Sequence, residues 1–316
     1  MPDVRAHAQD LLRAARAATA QYSVDAVSRL LSKPVIVLSA PRAGSTLLFE
    51  QLARADGFWT VGGESHGIFR AFPSLRAENA ALDSGRLDAS HAGEEIQAAM
   101  RSCFLMLSRN HRGEPFLKFP PEQRPDSITL LEKTPRNALN VPFLNSVFPD
   151  ARFVYLYRDA RQNVASLIEA WTLGLQTGRF VTFSQLPGWD RPAWCFLLPP
   201  GWRSLVGKSL PEIAAFQWAE TNRIVLDDLQ ALDRDRWCAV SYTELVEDPG
   251  ATFERVCRFS GVDTPQFPAG GSLPLSRTTL TAPDPDKWRR HATELDALAT
   301  LLDETEAMIA SAVSAD

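Results

Sequence analysis

Residues 33–52 read KPVIVLSAPRAGSTLLFEQL, an apolar run that breaks into a small polar turn and resumes with helical spacing. Val35, Ile36, Val37 and Leu38 form the short continuous apolar stretch of a strand buried on both faces of a parallel sheet. From Ser39 to Thr46 the side chains are small or polar. Gly44 lets the backbone approach a ligand, and Leu47, Leu48 and Leu52 then line one helix face. The predicted order is strand, anion-binding turn, helix. Free N–H groups and the helix dipole favour negative charge at such a helix start, and Arg42, Ser45 and Thr46 add donors. Aligned on GxxxxGK[ST], Ser39 stands for the first Gly, Gly44 for the second, and Ser45 replaces the Lys. A loop without that lysine, whose cation comes earlier at Arg42, suits a single terminal phosphate better than a triphosphate with magnesium.

Working outward, 316 residues suffice for one large α/β domain with a substantial core. Hydrophobic content of 45% and charged content of 22% are globular values. A net charge of −5 gives no general electrostatic reason to expect nucleic acid. Cys103, Cys195, Cys238 and Cys257 are scattered without CxxC pairs, which argues against a metal site or a disulfide framework. No signal-peptide core and no apolar run long enough for a membrane span is visible, so a cytoplasmic protein is expected. Neither heptads nor repeats indicate an oligomeric state.

Residues 4–31 have helical spacing and read as one or two packing helices. Gly57–Val61 is a short strand-like run, and Gly62 and Gly63 then turn the chain to present Glu64 and His66 at the beginning of the next segment, both base candidates by position. Residues 78–112 read as a helical stretch through Leu82, Leu87, Met100 and Phe104, followed by a Pro-rich loop. Ile128–Leu131 is a second buried strand, running into Glu132-Lys133-Thr134-Pro135, where Lys133 either reaches solvent or meets an anion. Arg152–Tyr157 is a third strand, with Arg158 leaving its end, Asp159 capping the next helix and Ser166 two turns along it. A guanidinium plus a helix hydroxyl can hold a separate phosphate. Residues 171–211 carry Trp171, Trp189, Trp194 and Trp202 and read as a packed irregular lid whose loops could line an acceptor pocket. Pro211 starts a helix, Trp237–Val240 is a fourth strand, Thr252–Ser260 is a helix stopped by Gly261, and Thr293–Val313 is a final amphipathic helix.

Three of these segments together, SAPRAGST, EKTP and YRDARQNVASL, resemble the sulfotransferase superfamily that uses 3′-phosphoadenosine 5′-phosphosulfate (PAPS) and releases PAP. The likeness runs from about residue 33 to about residue 290. It implies a single α/β P-loop-like domain, a central mostly parallel sheet flanked by helices, with the irregular Trp/Pro-rich lid over it. The expected division is 1–32 for N-terminal helices, 33–170 for the nucleotide-binding core, 171–211 for the lid, and 212–316 for C-terminal helices and a nucleotide-covering segment. In this likeness Pro41, Arg42, Ala43, Gly44, Ser45 and Thr46 hold the 5′-phosphosulfate end, and Arg158 with Ser166 clamps the 3′-phosphate. Tyr242, in a stretch similar to the family's Y-x-x-L-x-x-x-P, lies near the nucleotide, and Ser276 and Lys287 belong to a segment similar to the one that folds over it. Lys133 corresponds to a lysine that neutralises the sulfuryl or bridging oxygens. The GGES stretch resembles that of protein-tyrosine sulfotransferases, whose Glu is the base.

The implied reaction passes a sulfuryl group from PAPS to a small-molecule hydroxyl, with an amine as second choice, by in-line displacement without a metal. Glu64 or His66 takes the proton, and a Glu base needs its pKa raised by burial or matched to the hydroxyl. No basic acceptor patch is legible, so an apolar or mixed lipid or natural-product acceptor is expected rather than an anionic glycan. Two rivals are a P-loop kinase or NTPase, separable by magnesium dependence, and a noncatalytic PAPS- or PAP-binding module, separable by a transfer assay.

Overall fold

The computed structural model describes residues 4–76, 83–264, 273–281 and 284–314, with 4–8 described by backbone alone. Seven strands occur among them: β1 (Val35–Leu38), β2 (Phe58–Trp59), β3 (Thr129–Lys133), β4 (Arg152–Tyr157), β5 (Val181–Phe183), β6 (Trp194–Cys195) and β7 (Trp237–Ser241). Five build one sheet in the order β2-β3-β1-β4-β7, and every pairing in it is parallel. Central strand β1 pairs with β3 on one side and β4 on the other, so the order reverses there. Open α/β sheets bind ligands in the crevice at the strands' carboxyl ends where this happens.

Helices cover both faces: α1 (Val4–Thr19), α2 (Val24–Leu30), α3 (Ser45–Leu52), α4 (His66–Arg70), α5 (Glu94–Leu107), α6 (Val141–Val147), α7 (Ala160–Thr177), α8 (Leu210–Gln230), α9 (Tyr242–Glu247), α10 (Pro249–Ser260), α11 (Ala292–Asp296) and α12 (Ala299–Val313). The alternation of a pleated strand sorts the core. Ile36, Leu38, Phe153 and Tyr155 enter the larger apolar cluster. Val35, Val37, Val154 and Leu156 enter a smaller one with α3 and α10. Strands buried against apolar clusters on both faces read as unbroken apolar runs.

Three expected elements change. The helical stretch 78–112 is a helix only over Glu94–Leu107 with a short turn at Ala89–His91, and residues 78–82, including Leu82, lie outside the described residues. The last helix is two, because the chain breaks between Asp296 and Ala299. The excursion expected at 171–211 begins later, since α7 runs on to Thr177 and ends at Gly178, whose φ of +79° is a left-handed helix stop. It closes at Ser209, which with Glu212 forms a capping box ahead of Pro211 in the first turn of α8.

Inside that excursion Trp189, Trp194 and Trp202 pack on one another and on Trp171 of α7. Trp194 meets Trp171, Trp189 and Trp202 edge-on at 5.2, 4.8 and 6.0 Å between ring centroids. Each indole N–H is satisfied: Trp171 donates to Gln217 Oε1, and Trp189, Trp194 and Trp202 donate to the carbonyls of Ala193, Leu197 and Asp83. A cluster with every N–H paired is the packed core of the lid rather than a contact surface. Trp194→Ala should therefore cost about 3–5 kcal/mol in urea denaturation, as for other buried aromatics. A loss under about 1 kcal/mol would contradict this packing role.

Candidate active site

Each strand of the large sheet delivers a side chain or turn to the same edge. After β1, Gly44 takes φ +111° at the start of α3, and a Cβ there would lie 2.5 Å from the Tyr242 ring. Only glycine satisfies both the angle and the contact. Asn163, buried on α7, donates to the Pro41 carbonyl at 2.8 Å and pins the turn. Arg42 also has positive φ, at +68°. Such a conformation is uncommon for a residue with a side chain and marks a turn set by its surroundings.

Lys133 ends β3 in full burial, 1% exposed. Its ammonium donates to Glu64 Oε1 at 2.5 Å and to Thr46 Oγ1 at 3.1 Å, linking the loop after β2 to the first turn of α3. His66 Nε2 lies 3.1 Å from the other Glu64 oxygen. A buried ammonium without a carboxylate would carry a large desolvation penalty, so the pair is structurally obligatory as well as chemically apt. Burial raises the Glu64 pKa, but the hydrogen bond from His66 and the charge and hydrogen bond of Lys133 outweigh it and hold the carboxyl down at about 2. The raised pKa expected of a Glu base is thus absent in this arrangement. Because the folded value lies below the ordinary 4.5, the pair stabilises the fold above about pH 4.5 and the contribution fades as pH falls toward 2.

Beneath this pair lies a brace that the sequence did not single out. Glu132 points to the opposite face of β3 and is fully buried. Its Oε1 accepts from Ser65 Oγ at 2.6 Å, Thr134 Oγ1 at 2.6 Å and Asn137 Nδ2 at 3.0 Å. The Ser65 N–H donates to Thr134 Oγ1 at 2.8 Å. Glu64 and His66 flank Ser65, so this network fixes both. A carboxylate within an otherwise apolar strand was the available signal.

The other half of the edge follows β4 and β7. Arg158 lies 4.3 Å over the Tyr242 ring, donates to Gln162 Oε1, and reaches the Arg42 carbonyl at 3.4 Å. Arg42 Nε donates to Ser166 Oγ at 3.4 Å, and its Nη1 to the Thr278 carbonyl at 3.1 Å. Arg42, expected beside the 5′ group, therefore turns toward Ser166 and Arg158 and away from Lys133. Burial first, then the charges of Arg158 and Arg179, pull its guanidinium down to about 10. Crowded cations of this kind are relieved by an anion. Ser276 lies 3.2 Å from the hydroxyls of Thr278 and Thr279. Lys287 pairs with Glu169 and Thr281.

A cavity of about 880 Å³ runs along the whole edge, from Arg158, Ser166 and Tyr242 past Gly44–Thr46 to Glu64 and His66. Its lid-side wall is Phe180, Phe183, Phe196, Leu197 and Leu198, and none of the four lid tryptophans lines it. Arg70, Arg76 and Arg136 line its far end, a basic group that contradicts the expected absence of one. Among the described residues no helix is long and apolar enough to cross a membrane.

A parallel α/β sheet with an anion-type turn after its central strand, a buried lysine on a carboxylate and a separate arginine cluster is an arrangement suited to holding anions at the strands' carboxyl edge. The sulfotransferase family profile matches residues 34–191, half of the chain, and the chain belongs to that family. Similar solved structures include the sulfotransferase domain from the curacin biosynthetic pathway, 20% identical over 84% of this chain and 98% of that one, TM-score 0.43. Another is a sulfotransferase from Alicyclobacillus acidocaldarius, 14% identical over 90% and 96%, TM-score 0.49. A third is the sulfotransferase domain of the Synechococcus PCC 7002 olefin synthase, 22% identical over 82% and 88%, TM-score 0.40. No curated protein matches the chain in sequence.

The Glu64 carboxyl should stay ionised from pH 7 down to pH 4, and Lys133→Met should move its midpoint upward, since Lys133 is one of the groups that depress it. Carbon-13 NMR of labelled glutamate carboxyls, with the signal assigned through Glu64→Gln, measures both. An ordinary carboxylate titration in the unaltered protein would contradict the geometry.

Proposed function

We propose that this sulfotransferase carries the sulfuryl group of PAPS to a hydroxyl of a small-molecule acceptor. The observation that supports this most directly is the Lys133 ammonium shared between Glu64 Oε1 and Thr46 Oγ1, because it ties a phosphate-type loop to a candidate base across one cavity. The chain's residues suit both ends of such a donor. The N–H groups of the turn Pro41–Thr46, with the Ser45 and Thr46 hydroxyls, would hold the 5′-phosphosulfate. Arg42, Arg158 and Ser166, gathered at a separate point of the cavity, would hold the 3′-phosphate, and the Tyr242 ring would flank the nucleotide. Ser276 and Lys287 line the same cavity and would close over it.

Bound there, the donor supplies the sulfuryl group and leaves as PAP. Lys133 neutralises charge developing on the sulfuryl and bridging oxygens, where a buried ammonium acts more strongly than in water. In doing so it turns from Glu64. The carboxylate then loses one of the groups that hold its pKa at about 2 and becomes a stronger base as the transfer begins. Its oxygens retain lone pairs for an acceptor hydroxyl, and His66 on Oε2 orients the carboxylate or the acceptor. Glu64, already ionised, needs no prior deprotonation, and its strength as a base rises as Lys133 leaves it.

With ³⁵S-labelled PAPS and an extract of small metabolites, label should pass to an organic product, and EDTA should leave the rate unchanged because no Mg²⁺-bridged triphosphate is involved. A strict magnesium requirement or transfer of phosphate instead would point to the kinase-like alternative. In the same assay Glu64→Gln should lower turnover about 10²- to 10⁴-fold, the usual range for a lost general base, with PAP affinity kept. Undiminished turnover in that variant would remove Glu64 from the mechanism.

A further inference from the structure

The acceptor end of the cavity is basic, although nothing contiguous in the sequence announces it. Arg70 lies four residues after His66 on α4, so the two share a helix face about 6 Å apart at Cβ. Arg76 donates from Nε to the Arg70 carbonyl at 2.8 Å, which keeps its guanidinium beside the end of α4. Arg136 stands three residues after Lys133, stacks 4.3 Å over the Phe69 ring and donates to the Leu75 carbonyl at 3.2 Å. All three line the cavity that holds Glu64 and His66.

Their place in the sheet separates them from the nucleotide cluster. Arg70 and Arg76 follow β2 and Arg136 follows β3, whereas Arg158 follows β4. In the order β2-β3-β1-β4, the strands carrying Arg70 and Arg158 are three spacings apart, roughly 14 Å. Lys133, at the end of β3, lies between. Arg70 and Arg76 have no ion pair among the described residues, and Glu64 is already held by Lys133 and His66. Leu139 and the lid residues Phe183, Leu197 and Leu198 form apolar wall nearby.

We infer that the acceptor is an amphipathic anion: an apolar body whose hydroxyl reaches Glu64 and His66 while a carboxylate or phosphate rests on Arg70 and Arg76, with Arg136 fixed behind them. This inference rests on the sulfuryl-transfer reading. Guanidinium forks suit either oxyanion, and desolvation by the neighbouring apolar wall strengthens the pairing.

The test titrates 10-hydroxydecanoate, 10-hydroxydecyl phosphate and 1,10-decanediol into the PAP-loaded protein by calorimetry, the flexible chain letting hydroxyl and anion find their own spacing. At least one anion should bind tenfold or more tighter than the diol, and the tighter of the two identifies the headgroup. Arg70→Glu combined with Arg76→Glu should abolish that preference, Arg70→Lys with Arg76→Lys should keep part of it, and PAP affinity should be the same in all forms. Equal binding of the three compounds, no binding by any of them, or a preference that survives charge reversal would overturn the inference. Loss of PAP binding by the unaltered protein would instead overturn the sulfuryl-transfer reading, so the two failures are distinct.

Discussion

The ammonium of Lys133 is the constraint on which the carboxyl edge of the sheet depends. It is removed from water at the end of a central strand, and its charge is tolerable only because Glu64 and Thr46 meet it. Those partners come from the loop after β2 and from the helix after β1, so a single buried charge sets the distance between two otherwise unconnected pieces of backbone. Glu132 works from the opposite face of the same strand. By collecting Ser65, Thr134 and Asn137 on one oxygen it holds the loop that bears Glu64 and His66. Adjacent residues of one strand thus do two tasks, Lys133 holding Glu64 to Thr46 and Glu132 holding the loop from behind, because successive side chains of a strand point to opposite faces.

The sheet order then divides the labour. One group of cations gathers beyond β1 on the β4 and β7 side, and another gathers beyond β3 on the β2 side. Lys133 stands where the two meet. The lid contributes in two layers: tryptophans packed on each other supply its rigidity, and phenylalanines and leucines supply the cavity wall. This arrangement lets an irregular segment present a defined apolar surface without regular secondary structure beyond the short pairing of β5 and β6.

How much of this was legible depended on distance along the chain. SAPRAGST, EKTP and the Arg158 segment could be read because each is a strand end followed by a turn, and the apolar run and the polar break are adjacent in sequence. Arg70, Arg76 and Arg136 could not be read as a patch, because Arg136 stands 66 residues after Arg70 and is brought to it by the pairing of β2 with β3 and by its contacts with Phe69 and Leu75. The direction of Arg42 was equally hidden. Its side chain follows a positive φ and the positions of Ser166 and Thr278, none of which a local pattern encodes. The tryptophans were visible as packed residues, but which aromatic faces the cavity depended on their mutual stacking.

The protonation of Glu64 is the clearest case of what lies beyond the one-dimensional record. A carboxylate after two glycines marks a candidate base, and burial alone would have raised its pKa. The two neighbours that lower it to about 2 belong to separate elements, Lys133 on β3 and His66 on α4, and act at 2.5 and 3.1 Å. By itself the sequence determined the strands of the sheet, the anion-type turn and the residue types available for transfer, because these depend on local periodicity and turn chemistry. Tertiary structure alone decided which charges meet and which face the cavity, because electrostatic interactions depend on distances through space that only the completed strand order sets.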